Sequence, residues 1–395
     1  MCQEKTPKGG RRPTPSIEPF TVSVAEEVLG DLRDRIHRTR WPQRSPAPAW
    51  QQGTDADYLR QVLAYWADDF DWRAQERRLN GFQQFRTEVD GLKIHYVQEK
   101  AVNGQGIPLV LTHGWPSSFV EYLPLVPLLT DPAAHGIDGP AFDVVIPSLP
   151  GYGFSERPDR TGVNTRYVAG LWHELMGRLG YGRYGAQGAD FGSAVTTYLA
   201  LDHPESLIGI HLSNLDLHPH TGPGTRPLSA AERAYLAQYR RWCSDDRGYG
   251  AIQSTRPQTL GYALNDSPAG LAAWLLEKWR AWSDCEGDIE RCFSRDFLLT
   301  VVTLYWCTET ITPSMRDYVD NRSHESLGPE DRVDVPTAVS VFANQFLDDG
   351  APPREWAERT YDVRCWWPMP VGGHFAATEQ PVPLARNTAA FFAGL

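Results

Sequence analysis

Apolar residues at Val24, Val28, Leu32 and Ile36 recur every four positions, and Tyr58, Val62, Tyr65 and Trp66 repeat the rhythm, so residues 17 to about 80 read as helical. Between these runs the Pro-rich segment from Trp41 to Trp50 predicts an irregular arm laid over apolar surface. The region is too thin to hold a core of its own and is expected to pack on the rest of the chain. The pattern then switches to strands. Phe85–Val89 and Leu92–Val97 flank Asp90-Gly91, a hairpin turn signal. Pro108–Thr112, Phe142–Pro147, Tyr184–Gln187 and Leu207–Ser213 are apolar runs of strand length, with helical patterns at Tyr167–Leu179 and Ser193–Asp202 between them. Strands alternating with helices predict the α/β class, with a mainly parallel sheet covered on both faces. Near His218 the alternation stops, and the following stretch is helical in pattern, rich in Trp and Tyr. Strand patterns return at Val335–Phe342 and Val363–Trp367, and Pro383–Phe392 reads as a closing helix. The predicted organisation is a disordered tail over 1–16, an N-terminal helical arm over 17–84, a sheet core from 85–215 and 331–395, and an inserted helical lid over 216–330.

Composition narrows the partners. Of 395 residues, 41% are apolar and 22% charged, ordinary globular usage with ample core material. The net charge of −11 disfavours nucleic acid or an anionic membrane, which need clustered positive charge. Cysteines at 2, 243, 285, 292, 307 and 365 show no C-x-x-C spacing, which points to reduced cytosolic thiols rather than a zinc site or a disulfide framework. Residues 1–16 lack an apolar signal core, and the apolar-rich stretch Phe297–Trp306 is too short to cross a bilayer, so a soluble, cytoplasmic protein is expected.

Chemistry concentrates in three short segments. Tyr184–Ser193 reads Y-G-A-Q-G-A-D-F-G-S, a strand entering a helix through small-x-Asp-x-small. This is the spacing of the α/β-hydrolase nucleophile elbow, with Asp190 where serine is usual. Gly188 and Gly192 would let neighbouring backbone pass close to the strained turn. Taken alone, the segment fits equally well an Asp that merely caps the next helix. His113-Gly114-Trp115-Pro116 follows the strand Pro108–Thr112, where this fold supplies one oxyanion-hole N–H; the residue after the nucleophile supplies the other, which makes Trp115 and Phe191 the candidate donors. Gly372-Gly373-His374-Phe375 follows the last predicted strand, where the general base is expected. A Gly-Pro turn and a structural histidine are the plain alternatives for these two segments, and the order of all three favours a site.

The sequence resembles the microsomal-type epoxide hydrolases of the α/β-hydrolase superfamily, a branch that includes the juvenile hormone epoxide hydrolases. The likeness spans about residues 17–393. It rests on Pro19-Phe20, Trp41-Pro42, Phe70-Asp71-Trp72, the H-G-W-P loop, G-A-D-F-G and G-G-H-F, and on Gly248–Gln253, Thr255–Pro257, Asp266-Ser267-Pro268 and Gly270–Trp274. Family usage favours Trp where Phe191 stands. The resemblance implies attack of Asp190 on an epoxide carbon to give an alkyl-enzyme ester, which His374 hydrolyses by activating water, yielding a vicinal diol. It also implies two lid tyrosines that donate to the epoxide oxygen, by motif position Tyr249 and Tyr318, with Tyr262 and Tyr305 as competitors. Mammalian and insect members carry a membrane anchor; this chain looks like a soluble bacterial-type member. No metal or organic cofactor is implied. Trp242, Trp274, Trp279, Trp282 and Trp306 point to a bulky apolar or aromatic epoxide as the small-molecule partner, although several are expected simply to pack the lid, and a homodimer is compatible with the chain.

One position departs from the family pattern. The triad acid is expected three residues beyond Phe342, and that position holds Gln345. An amide can orient an imidazole but cannot stabilise its cation; the same exchange in the serine-protease triad costs about 10⁴ in turnover. Asp348 or Asp349 in the following loop, or Asp216 after the strand ending at Ser213, could replace it. If none does, the alternatives are a natural-product tailoring enzyme that opens epoxides without water, or a non-catalytic ligand-binding relative.

Overall fold

The computed structural model describes residues 16–324, 327–344 and 351–395. The predicted tail up to Pro15 and the candidate acid positions Gln345, Asp348 and Asp349 lie outside the described residues. The described strands are β1 (Glu18–Pro19), β2 (Gln84–Val89), β3 (Leu92–Glu99), β4 (Ile107–Thr112), β5 (Phe142–Pro147), β6 (Tyr184–Gly188), β7 (Leu207–Leu212), β8 (Val333–Asn344) and β9 (Tyr361–Gly373). They form one sheet in the order β1-β2-β3-β5-β4-β6-β7-β8-β9. The β1-β2-β3-β5 end is antiparallel, and every ladder from β5 onward is parallel. The central strands are buried on both faces, as the unbroken apolar runs of β4, β5 and β7 require. This is the α/β-hydrolase arrangement, with β4 and β6 side by side and their carboxyl ends adjacent.

Two strands depart from the sequence reading. β1 spans two residues, too few to show any period, and exists because Glu18 and Pro19 pair with Arg86 and Phe85. β9 runs six residues past Trp367, through Pro368-Met-Pro-Val-Gly-Gly373, which reads as loop. Proline is tolerated there because β9 is the edge strand.

Between β7 and β8 the chain forms a helical block. Its centre is the helix Arg295–Thr308, where every residue from Phe297 to Trp306 is buried. A helix apolar on all faces belongs inside a packed body. Among the described residues no helix is long and apolar enough to cross a membrane. The block is pinned to the sheet by an ion pair. Arg359, in the connection before β9, holds Glu232 of the helix Ala230–Asp245 through both carboxylate oxygens at 2.6 and 2.8 Å, and both side chains are buried. Those bonds, with Ser229 N–H and Arg226, hold the Glu232 carboxyl at about 2 against the opposing effect of burial.

The N-terminal helices Glu26–His37, Ala56–Asp68 and Trp72–Leu79 lie against the same block. Trp66 Nε1–H donates to Thr303 (2.8 Å), Tyr65 O–H to Asp296 (2.7 Å) and Arg35 to Asp266 (2.6 Å). An open groove of about 990 Å³, floored by Val28 and Trp306, runs along this seam and does not include Asp190 or His374.

Candidate active site

The site lies at the carboxyl ends of β4, β6, β7 and β9. After β6 the backbone turns sharply into the helix Phe191–Asp202, and Asp190 sits at the turn with φ 55° and ψ −132°. A non-glycine residue there costs about 1–3 kcal/mol, so the surroundings must hold it. They do so through close backbone approaches: a Cβ on Gly188 would overlap the Gly192 carbonyl, and one on Gly192 would overlap the Thr112 carbonyl. Asp190 N–H also donates to Asn214 Oδ1 (2.7 Å) in the loop after β7, and Ser193 Oγ donates to the Asn214 carbonyl (2.7 Å).

The carboxylate is oriented atom by atom. Oδ1 accepts Trp115 N–H at 2.9 Å and Phe191 N–H at 2.8 Å. Oδ2 faces His374 Nε2 at 3.4 Å. A simple helix cap would account for the Phe191 bond, but not for the second donor from another strand end or for the histidine. Two N–H groups converging on one oxygen form a site for negative charge, filled in the resting protein by Oδ1 itself.

The loop carrying Trp115 is braced by His113. Leu149 N–H donates to His113 Nε2 (3.2 Å), which leaves the proton on Nδ1 facing the Gly114 carbonyl at 3.1 Å. Burial pushes this imidazole down to about 4, so it is neutral. The lid grips the same loop, with Trp279 Nε1–H donating to Pro116 O (3.3 Å) and Tyr305 O–H to Ser117 O (2.8 Å).

Tyr249 and Tyr318 roof the carboxylate. Tyr249 stacks on the Trp115 indole at 5.5 Å, Tyr318 packs edge-on against Phe191 at 5.0 Å, and the two phenol rings are 5.9 Å apart. Burial, and then the Asp190 charge, holds Tyr249 well above the ordinary phenol range; burial, Tyr249 and Asp190 do the same for Tyr318. Both remain protonated and able to donate. Lys278 lies over the Tyr249 ring at 4.8 Å and is paired with Glu277 (2.8 Å).

Of the other candidates, Tyr262 is 73% exposed on the lid surface, and the Tyr305 hydroxyl is committed to Ser117. Asp216 lies in the loop after β7, where its charge bears on Tyr318. Among the lid tryptophans Trp282 borders the site, against Trp115, Tyr249 and His374. Trp306 lies in the seam with the arm, Trp274 is bonded to Gln253, and Trp279 stacks on Phe375. Two carboxyls near the site escaped sequence reasoning: Glu121 and Glu379 are each pushed up to about 7 by burial, against the lowering effect of a Ser117 hydrogen bond on the first and of three backbone amides on the second. Among the described residues no group of three or more His, Cys, Asp or Glu side chains is placed to hold a metal ion.

With this geometry in view, comparison with known proteins decides the family. The profile described as "Epoxide hydrolase N terminus" matches residues 17–122, and that of the "alpha/beta hydrolase fold" matches 107–243. A Stigmatella aurantiaca protein carrying a provisional epoxide hydrolase name is 44% identical over 94% of this chain and 83% of its own length. "Epoxide hydrolase 1" of Sus scrofa is 37% identical over 95% of this chain and 88% of its own. The chain belongs to the epoxide hydrolase family. The crystal structure of juvenile hormone epoxide hydrolase from Bombyx mori superposes on this epoxide hydrolase with a TM-score of 0.87 at 30% identity, covering 96% of this chain and 95% of that one. The family relationship and the α/β-hydrolase fold expected from the sequence both stand.

Proposed function

We propose that this enzyme hydrolyses epoxides in two steps through Asp190. The reading is carried by one observation: a carboxylate with Oδ1 held by two backbone N–H groups and Oδ2 left facing an imidazole. In the first step Oδ2 attacks an epoxide carbon and the ring C–O bond breaks. The released oxygen takes a proton from Tyr249 or Tyr318, whose protonated state in this roof supports the role. In the second step His374 takes a proton from water as the water oxygen attacks Asp190 Cγ. Oδ1 carries the negative charge between the Trp115 and Phe191 amides; the bond from Cγ to Oδ2 then breaks as the departing oxygen takes the proton of the new hydroxyl on Cγ, and the proton held by His374 returns to the tyrosine that gave up its own. The diol therefore leaves with the old Oδ2, and the carboxylate keeps the water oxygen.

Asp348 is assigned as the anionic partner of the imidazole, supported by its place in the sequence three residues beyond Gln345. Rings of Trp115, Tyr249, Trp282 and Phe191 around the carboxylate favour an apolar or aromatic epoxide. The described cysteines, 243, 285, 292, 307 and 365, are all unpaired, which fits a reducing, cytoplasmic setting.

A single turnover with an aryl epoxide in ¹⁸O-water tests this. The label should appear in the peptide carrying Asp190, not in the first equivalent of diol. Label in that diol would mean direct attack by water and would overturn the covalent route. In the same assay Asp348→Asn should form the ester at a near-normal rate and hydrolyse it about 10²-fold or more slowly; unchanged hydrolysis would remove Asp348 from the set.

A further inference from the structure

The backbone around His374 is held by two carboxylates and a lid carbonyl, which accept from four consecutive amides. Gly372 N–H donates to Asp284 Oδ2 (2.9 Å), and His374 N–H to the Trp282 carbonyl (2.7 Å). Gly373 N–H donates to Glu379 Oε2 (3.0 Å) and Phe375 N–H to Glu379 Oε1 (3.0 Å). Glu379 Oε2 accepts one more bond, from Asp284 N–H at 2.8 Å. Trp282, Ser283 and Asp284 directly follow the lid helix Pro268–Ala281, while Glu379 ends the short helix Ala376–Glu379 after the histidine. One carboxylate thus accepts from three amides, two in the histidine loop and one in the lid, and a second carboxylate and a carbonyl of the lid take the remaining two.

We propose that Glu379 is a positioning residue for the hydrolytic half-reaction, locking the His374 loop to the end of the lid helix. The inference rests on the two-step reading above. The carboxylate of Asp190 is fixed by the elbow and by Trp115 and Phe191, so ester formation does not depend on this clamp. Ester hydrolysis does, because the imidazole must hold a water against Asp190 Cγ, and a misplacement on the order of 1 Å costs about 10²-fold.

Glu379→Gln keeps the shape but offers one acceptor oxygen where the carboxylate used two, so at least one amide faces an NH₂ group. With an aryl epoxide, kcat should fall about 10- to 100-fold and KM should fall with it, leaving kcat/KM within about threefold. Intact-mass measurement in the steady state should show the Asp190 ester accumulated, whereas wild type shows little. A merely structural role would lower kcat/KM together with kcat and leave no ester; that result overturns the proposal. Should Glu379→Gln not fold, Asp284→Ala, which removes the acceptor of Gly372 N–H, carries the same test from the lid side, with the same split expected and the same overturning result. If wild-type enzyme itself never forms an ester on Asp190 even in rapid quench, the two-step reading fails; a normal wild-type ester with unchanged decay in both variants sinks only the clamp.

Discussion

At Gly114 a single added methyl group would collide with the Asp190 carboxyl, meeting both its Oδ1 and its Cβ. The glycine therefore exists to let the Trp115 amide reach Oδ1. Gly114→Ala is expected to cut kcat/KM by about 10²-fold while leaving the melting temperature within a few degrees, because the atoms it meets all belong to one side chain. Activity within threefold of wild type would refute the close approach. This kind of constraint is legible in sequence, since a backbone that must pass within contact distance leaves glycines at fixed spacings, as at Gly188, Gly192 and Gly114. Elbow spacing and the places of two strand-end loops singled out Asp190, Trp115, Phe191 and His374, and the structure brings these four together. Asn214, Asp284 and Glu379 were not singled out, because each acts by one side chain reaching the backbone of a segment far off in the chain, and such bonds leave no spacing to read. Glu379 is five residues from His374, yet its role depends on a lid residue nearly a hundred positions earlier.

Among the elements, the join between lid and sheet depends most on the Glu232–Arg359 pair. Glu232 has no exposed side-chain surface, and Arg359 has almost none. Removing one member strands the other as a buried charge, so Glu232→Ala should lower unfolding stability by about 3–5 kcal/mol, read from urea denaturation. A loss below about 1 kcal/mol, the range of exposed pairs, would mean that the pair is solvated. Strands and helices with a full period were placed well by pattern: the predicted helix Tyr167–Leu179 is Thr165–Arg178, and Phe142–Pro147 is β5 as read. What escaped was decided by partners. β1 is too short for a period, and the end of β9 is a strand only because β8 continues beside it.

At the scale of the whole molecule, three histidines are buried as neutral groups. Gln84 Nε2–H is committed to Leu79 O, so its Oε1 accepts His95 Nε2–H, and His95 Nδ1 accepts from Ser148. Thr388 donates to Leu384 O, so it accepts His211 Nδ1–H. Burial pushes His95 and His211 down to about 3, as it pushes His113 to about 4, from the usual 6.5. A lowered imidazole means that the unfolded chain binds more protons in this window, so stability is full above pH 6.5 and is lost as pH falls toward 3. Glu121 and Glu379 act oppositely, since the folded state holds their protons between 4.5 and about 7. Burial raises the Asp317 carboxyl well above its usual range as well, so from pH 6.5 to 4.5 the two sets nearly cancel. Below 4.5 the two glutamates no longer oppose the histidines, and Glu232, held at about 2, adds to the loss of stability. Unfolding midpoints should therefore change little down to pH 4.5 and drop steeply below it, with His211→Gln reducing the lower slope by about a quarter. An equally small change through pH 4 would show that these imidazoles are not buried neutral.

The oxygen seated between the Trp115 and Phe191 amides belongs to the protein before any guest arrives. The polarising pocket is thus never offered to an incoming molecule and has no part in choosing one. Choice then falls to the lid side chains around the two tyrosines, Trp282 among them, so a lineage could exchange those and change its diet while the donors and the carboxylate stay in place.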